Sequence, residues 1–193
     1  MKIGLYFGSF NPIHIGHLII ANHILNVTEL KKIWFVVSPQ NPFKQSNSLL
    51  NEYDRLHLAR LSVESDNRII VSDIEFSLPR PSYTIDTLTY LREKYPLNEF
   101  SIVMGSDSFQ NLPEWKNYKQ LLTNYPVYVY ERPGFKPENY YKEADVNFLN
   151  APLLEISSTY IRKIIRDGKS IRYLVPEKVR LEIEQNGYYR NSV

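Results

Sequence analysis

The chain has 193 residues, 43% of them apolar, which is enough for a folded unit with a real core and leaves little case for wholesale disorder. Its 23 Lys and Arg nearly balance its 21 Asp and Glu, so charge does not favour nucleic acid as a partner, although local sites for small anions stay open. There is no cysteine, which excludes disulfides, thiolate metal sites and a cysteine nucleophile.

Apolar runs of strand length alternate with amphipathic stretches along the chain. "KIGLYF" (2–7) reads as a buried strand and "HLIIANHILN" (17–26) as a helix. "KIWFVVS" (32–38) is a second strand, and "NEYDRLHLARLSVES" (51–65) a helix that Asn51 suits as N-cap. "RIIVSD" (68–73) is a third strand. In "SYTIDTLTYLREKY" (82–95), Ile85, Leu88 and Leu91 give one helical face an apolar stripe. "FSIVMG" (100–105) and "PVYVYE" (126–131) are the fourth and fifth strands, and "VNFLN" (146–150) is a short sixth. "SSTYIRKIIRDG" begins on capping serines and ends on Gly168, while "PEKVRLEIEQNG" runs from Pro176 to Gly187, the favoured asymmetry of a helix.

Such alternation predicts an α/β fold: a Rossmann-like, doubly wound parallel sheet of five to six strands, helices on both faces, and a small helical C-terminal segment. One domain over residues 1–193 is expected, with about 152–193 as its helical C-terminal part. No stretch approaches the roughly 18 apolar residues of a membrane helix, and the apolar run of "MKIGLYFGSF" is too short for a signal peptide; a cytoplasmic location is expected. Sheets of this kind bind ligands beyond the C-terminal ends of their strands, near a topological switch point. Four segments converge there: "GSFNPIHIGH" (8–17), "SPQNPFKQ" (38–45), "GSDSF" (105–109) and "ERPG" (131–134).

"GSFNPIHIGH" holds two imidazoles three residues apart, His14 and His17, where a strand hands over to a helix. A metal pair, a proton-transfer pair and a phosphate clamp all answer to that pattern. Zinc needs a third ligand, and the stretch offers no Cys, Asp or Glu. General base catalysis needs a nucleophile beside the pair, and none is specified. A phosphate clamp fits better. Gly8 and Ser9 let the backbone approach closely, the following helix turns free N–H groups and its positive end outward, and neighbours three apart are about 5–6 Å apart. Walker A and dinucleotide-binding fingerprints are both absent. A second phosphate signal lies in "ISSTYIR" (156–162): Ser157 and Ser158 at a helix start, with Arg162 a turn later. Taken alone, it is an ordinary N-cap followed by a surface arginine. His23 and His57 read as structural, and the 15 tyrosines as core and surface filler.

The combination of "GSFNPIHIGH" and "ISSTYIR" resembles the nucleotidyltransferase superfamily with the Gly-x-Phe-x-Pro-x-His-x-x-His signature. "RPSYTIDTL" (80–88), "MGSDSFQNLPEW" (104–115) and "ERPGF" (131–135) are similar to segments of bacterial nicotinate-nucleotide adenylyltransferase, in the same order. Where that family often carries Pro-Pro-His-Lys after strand two, this chain has "NPFK", with Phe43 in place of the histidine. The resemblance implies attack by nicotinate mononucleotide on the α-phosphorus of ATP, giving nicotinate adenine dinucleotide and pyrophosphate without a covalent enzyme intermediate. It also implies magnesium on the ATP phosphates, positioning and charge stabilisation as the means of catalysis, and small-molecule partners in place of nucleic acid or membrane.

The roles it implies are these. Gly8, Ser9 and Phe10 line the adenylate. His14 and His17 hold the ATP phosphates, with His17 nearest the transition state. Ser157, Ser158 and Arg162 grip the β and γ phosphates, and Gly105 and Asp107 meet the ribose. Thr84 and Trp115 meet the pyridine ring, and Lys44 and Arg132 the mononucleotide phosphate. Plainer readings stand beside some of these: Trp115 as a packing aromatic, Asp107 as a cap, and Lys44 and Arg132 as solvated charges. Nicotinamide mononucleotide and phosphopantetheine are rival acceptors. A non-catalytic nucleotide sensor is the rival from another class.

Overall fold

Six strands form one parallel sheet in the order β3-β2-β1-β4-β5-β6. The computed structural model describes residues 1–39, 49–135, 141–152 and 155–190. The strands are β1 (Lys2–Gly8), β2 (Lys32–Val37), β3 (Ile69–Ser72), β4 (Glu99–Gly105), β5 (Val127–Tyr130) and β6 (Val146–Leu149). Every neighbouring pair is parallel. The helices are α1 (Ile15–Val27), α2 (Glu52–Val63), α3 (Thr84–Lys94), α4 (Ser106–Gln110), α5 (Tyr118–Asn124), α6 (Ser158–Arg166) and α7 (Glu177–Asn186). None of the described helices is long and apolar enough to cross a membrane.

The sheet is covered on both faces, so its central strands bury their side chains in both directions. Along β1, Ile3 and Leu5 enter one core and Tyr6 the other; along β4, Ile102 and Met104 enter the first and Val103 the second. Helices α1, α2, α6 and α7 close the Tyr6 side through Ile20, Ile24, Leu56, Ile161 and Val179. Helices α3 and α5 close the other side through Ile85, Leu88, Leu91 and Leu121. Leu88 and Leu91 are wholly buried, each burial being worth about 1.5–3 kcal/mol. Gly4 sits in the middle of β1 because there is no room for more: a Cβ there would lie 2.8 Å from both Leu30 and Ile33 side-chain carbons.

Local chemistry sets the helix ends. Asn51 caps α2 by accepting the Tyr53 N–H at 2.9 Å. Gly168 follows α6 at φ +67°, and its N–H and that of Lys169 return to the carbonyls of Ile165 and Ile164, the paired bonds of a Schellman close. Two features depart from the sequence expectation. "GSDSF" folds into α4 where a loop was expected, and α5 was not anticipated. Strand ends otherwise move by at most one residue.

β1 lies between β2 and β4. The chain leaves β1 toward β2 on one side and leaves β4 toward β5 on the other. The two connections diverge, and a crevice opens above the ends of β1 and β4.

Candidate active site

The crevice is a cleft of about 360 Å³. Its walls come from the turn after β1, the start of α1, the β4–α4 junction, the β5 end, the start of α3 and the start of α6. His14, with an extended backbone, is the N-cap residue of α1, and His17 lies in its first turn. The rings stack with centroids 3.7 Å apart. The His14 N–H donates to His17 Nδ1 at 3.2 Å, so neutral His17 carries its proton on Nε2 and keeps that donor for a ligand. Gly16 makes the arrangement possible: a Cβ there would stand 3.0 Å from His14 Nδ1.

Both imidazoles are held neutral. Burial, with the Arg132 charge as a smaller cause, lowers His14 to about 4. Burial first, then His14 and Arg132, push His17 well below the ordinary imidazole value. At neutral pH the pair therefore presents N–H donors and no formal charge. Behind it, Tyr6 and Tyr130 join hydroxyls at 2.7 Å, and the Tyr6 ring meets His17 edge-on with centroids 6.0 Å apart. These two tyrosines belong to the buried core and also line the cleft.

The turn between β1 and α1 brings Gly8, Ser9 and Phe10 to the same wall. Phe10 takes φ +44°; its ring packs against Phe35 at 5.1 Å between centroids, and the residue also lines the cleft. Ser157, Ser158 and Arg162 arrive from 140 residues away. Ser157 Oγ accepts the Tyr160 N–H at 3.2 Å. Ser158 Oγ donates to the Pro12 carbonyl at 2.9 Å, and Arg162 Nη1 donates to the Asn11 carbonyl at 2.7 Å. The start of α6 is thus sewn onto the first motif, which an independent surface cap would not be.

At the other end of the cleft, Gly105 closes β4 and Asp107 enters α4. Asp107 does not cap that helix with its side chain. It pairs with Arg132, Nη1 to Oδ2, at 3.2 Å, and Arg132 is therefore no freely solvated charge. Gly105 is required beneath this pair: a Cβ would meet Asp107 Oδ1 at 2.5 Å and Arg132 Cδ at 2.7 Å. Thr84 opens α3 and Trp115 is half-buried against the second core, and both also line the cleft. Lys44, with the Asn41–Lys44 segment, lies outside the described residues.

Sequence reasoning missed Glu75 and Lys116. Glu75 is 3% exposed. It accepts Ser82 Oγ at 3.0 Å and Thr87 Oγ1 at 2.9 Å, beneath the start of α3. Burial raises its carboxyl even though hydroxyls of Ser38, Thr87 and Ser82 pull the other way. Lys116 pairs with Asp86 at 2.8 Å and sits 4.7 Å from the Tyr83 ring centre. The signal for Glu75 is an acid set between two apolar residues in "IEF" (74–76).

Among the described residues, five buried side-chain polar atoms have no partner. Three of them, His14 Nδ1, Asp107 Oδ1 and Arg162 Nε, belong to residues of this one cleft. Buried polar groups are nearly always satisfied, so three exceptions in one place make this cleft the candidate ligand site.

Known proteins agree with this picture. Residues 5–164 match the cytidylyltransferase-like family. A Cytophaga hutchinsonii protein named "Probable nicotinate-nucleotide adenylyltransferase" is 50% identical over 191 residues, covering 99% of this chain and 100% of the relative. A Flavobacterium johnsoniae protein of the same name is 48% identical, covering 98% of this chain and 100% of the relative. The fold superimposes on Plasmodium falciparum nicotinic acid mononucleotide adenylyltransferase complexed with NaAD, with a TM-score of 0.82, 22% identity and 97% of each chain covered. At half-identity over its whole length, on the same fold and with both motifs in one cleft, the chain belongs to the nicotinate-nucleotide adenylyltransferase family of cytidylyltransferase-like nucleotidyltransferases.

Proposed function

We propose that this protein transfers the adenylyl group of ATP to nicotinate mononucleotide. A phosphate oxygen of the mononucleotide forms a bond to the α-phosphorus, the bond from that phosphorus to the β-bridging oxygen breaks, and pyrophosphate leaves. The acceptor's phosphate is the nucleophile, so no protein nucleophile is consumed. The observation that carries the reading is the meeting of the two distant motifs in one cleft whose unpartnered buried atoms sit on both of them.

In this reading, the backbone of Gly8, Ser9 and Phe10 lines the adenylate, and His14 and His17 donate to the phosphates. Neutral donors suit a group whose charge grows at the transition state, because they need no reorganisation at the moment of reaction. Ser157, Ser158 and Arg162 hold the β and γ phosphates. Magnesium is part of the substrate, carried in on the ATP phosphates. Asp107 Oδ1, buried and without a partner, takes a ribose hydroxyl at Gly105. Thr84 and Trp115 receive the pyridine ring. Arg132, and Lys44 with it, hold the mononucleotide phosphate, for which Arg132 must turn from Asp107. The free N–H groups at the start of α3 favour a carboxylate on the ring over an amide.

The test is pyrophosphate release from Mg-ATP with nicotinate mononucleotide, nicotinamide mononucleotide or phosphopantetheine as acceptor. Release with the first, and a lower kcat/KM with the second, is expected. Silence with all three, alongside measurable ATP binding, would instead establish a nucleotide sensor.

A further inference from the structure

Arg55, in the first half of α2, is 0% exposed. A buried guanidinium is tolerated only when its N–H groups are satisfied. Its partners here are four backbone carbonyls. Nε donates to Leu50 at 2.8 Å, Nη1 to Ser9 at 2.6 Å and to Ser38 at 2.8 Å, and Nη2 to Pro39 at 2.8 Å. Glu52 and the Tyr189 phenol act on it through space, and Glu52 itself is paired with Arg80 at 3.0 Å. Among the described residues, no carboxylate forms an ion pair with Arg55. The charge is spent on holding backbone.

The carbonyls belong to three segments: the turn after β1, the exit from β2 and the entry to α2. Ser9 and Ser38 line the cleft, whereas Arg55 does not. The Ser9–Phe10 peptide is trans, so its C=O and N–H point to opposite sides. Turning the Ser9 carbonyl toward Arg55 turns the Phe10 N–H away from Arg55. Phe10 meanwhile sits at φ +44°, a left-handed conformation that a residue with a Cβ enters only under constraint. A charge-assisted bond of 2.6 Å on the preceding carbonyl is such a constraint.

We propose that Arg55 is a positioning residue of the nucleotide site. It touches no ligand. It fixes the Ser9–Phe10 peptide with the N–H facing the cleft, where the adenylate lies in the reading given above. It also ties that turn to Ser38 and Pro39, at the exit of β2. One guanidinium thereby sets the relative position of two walls of the site. Lysine keeps the charge but lacks the planar fork that reaches carbonyls in several directions. The proposal rests on the cleft being the ATP site, and the test separates the two.

Arg55→Lys and Arg55→Ala are compared with wild type, with phenylalanine amides labelled with nitrogen-15 and binding of α,β-methylene ATP followed by calorimetry. In folded Arg55→Lys, the Phe10 amide resonance is expected to move while phenylalanines remote from the turn hold their places. The dissociation constant is expected to rise roughly tenfold or more, and KM for both substrates to rise by a larger factor than kcat falls. In Arg55→Ala, methylguanidinium at tens of millimolar is expected to recover part of the binding, and urea at equal concentration none. An unmoved Phe10 amide, or KM values at wild type with turnover lost only in proportion to unfolded protein, overturns the proposal. So does failure of both variants to fold with no recovery by methylguanidinium, because Arg55 would then be a folding residue alone. A wild type that binds the analogue but adenylylates no pyridine mononucleotide refutes the function and leaves the Arg55 comparison intact. The free-state amide comparison needs no nucleotide at all.

Discussion

Acidification should destabilise this protein through His14 in particular. In the folded chain His14 titrates at about 4, against an ordinary value of 6.5. Between those values the unfolded chain takes up a proton that the folded chain refuses, so stability is full above 6.5 and is lost as pH falls toward 4. Worked through, the loss from pH 7 to pH 5 is about 2 kcal/mol for this one group, a large fraction of a domain's stability. His17 is lowered for the same main reason, burial, and changes stability in the same direction. Glu75 is raised by burial, so its contribution runs the opposite way. Comparison with His14→Gln cancels what the two proteins share. The assay is urea unfolding of both at pH 7 and pH 5, read as the change in free energy on acidification. Wild type should lose about 2 kcal/mol more than His14→Gln. Because His14 is one cause of the His17 shift, the substitution also relaxes His17, which widens the gap. Equal losses in the two proteins would refute a neutral, desolvated His14. In the proposed function, saturating ATP brings phosphate charge against both rings, raises their pKa values and should narrow the gap.

Other substitutions address the remaining parts of the site and sheet. His17→Ala removes the proposed transition-state donor and should lower kcat by ~10²–10³ with the fold retained; turnover near wild type would rule that role out. Gly105→Ala places a Cβ 2.5 Å from Asp107 Oδ1 and 2.7 Å from Arg132 Cδ. Both obstacles are partly exposed side chains outside the core, so stability should hardly change while KM for ATP rises roughly tenfold, a loss of about 1.4 kcal/mol; an unchanged KM would show that the pair plays no part in binding. Gly4→Ala meets Leu30 and Ile33 in the core at 2.8 Å and should cost about 1–3 kcal/mol in urea unfolding, with KM values unaffected. Glu75→Leu strips the hydroxyls of Ser82 and Thr87 of their acceptor and should cost roughly 1–3 kcal/mol, together with a weaker KM for the pyridine nucleotide than for ATP.

The parts of this fold that the sequence displayed are those in which one residue pattern has one physical cause. "KIGLYF", "KIWFVV" and "SIVMG" are continuous apolar runs because their strands are covered on both faces, and parallel pairing follows from the helices between them. The crevice over β1 and β4 follows from that strand order. The two phosphate motifs were legible because each concentrates its residues within one short stretch of chain. What stayed hidden depends on partners distant in sequence or on backbone direction. α4 spans five residues, too few for a helical period to be counted. The pairing of Asp107 with Arg132 joins residues 25 apart in sequence, and nothing in either neighbourhood specifies the other. Arg55 is the deepest case. In the sequence it is one more charge on an amphipathic helix, and a charge in such a place is ordinarily solvated. Its burial is decided by four carbonyls that irregular segments turn inward, and carbonyl direction leaves no trace in residue type. The loops that bind ligands are irregular, and irregular backbone needs donors from outside itself. In the proposal made above, Arg55 is such a donor, and it builds the site although its own side chain never reaches the ligand.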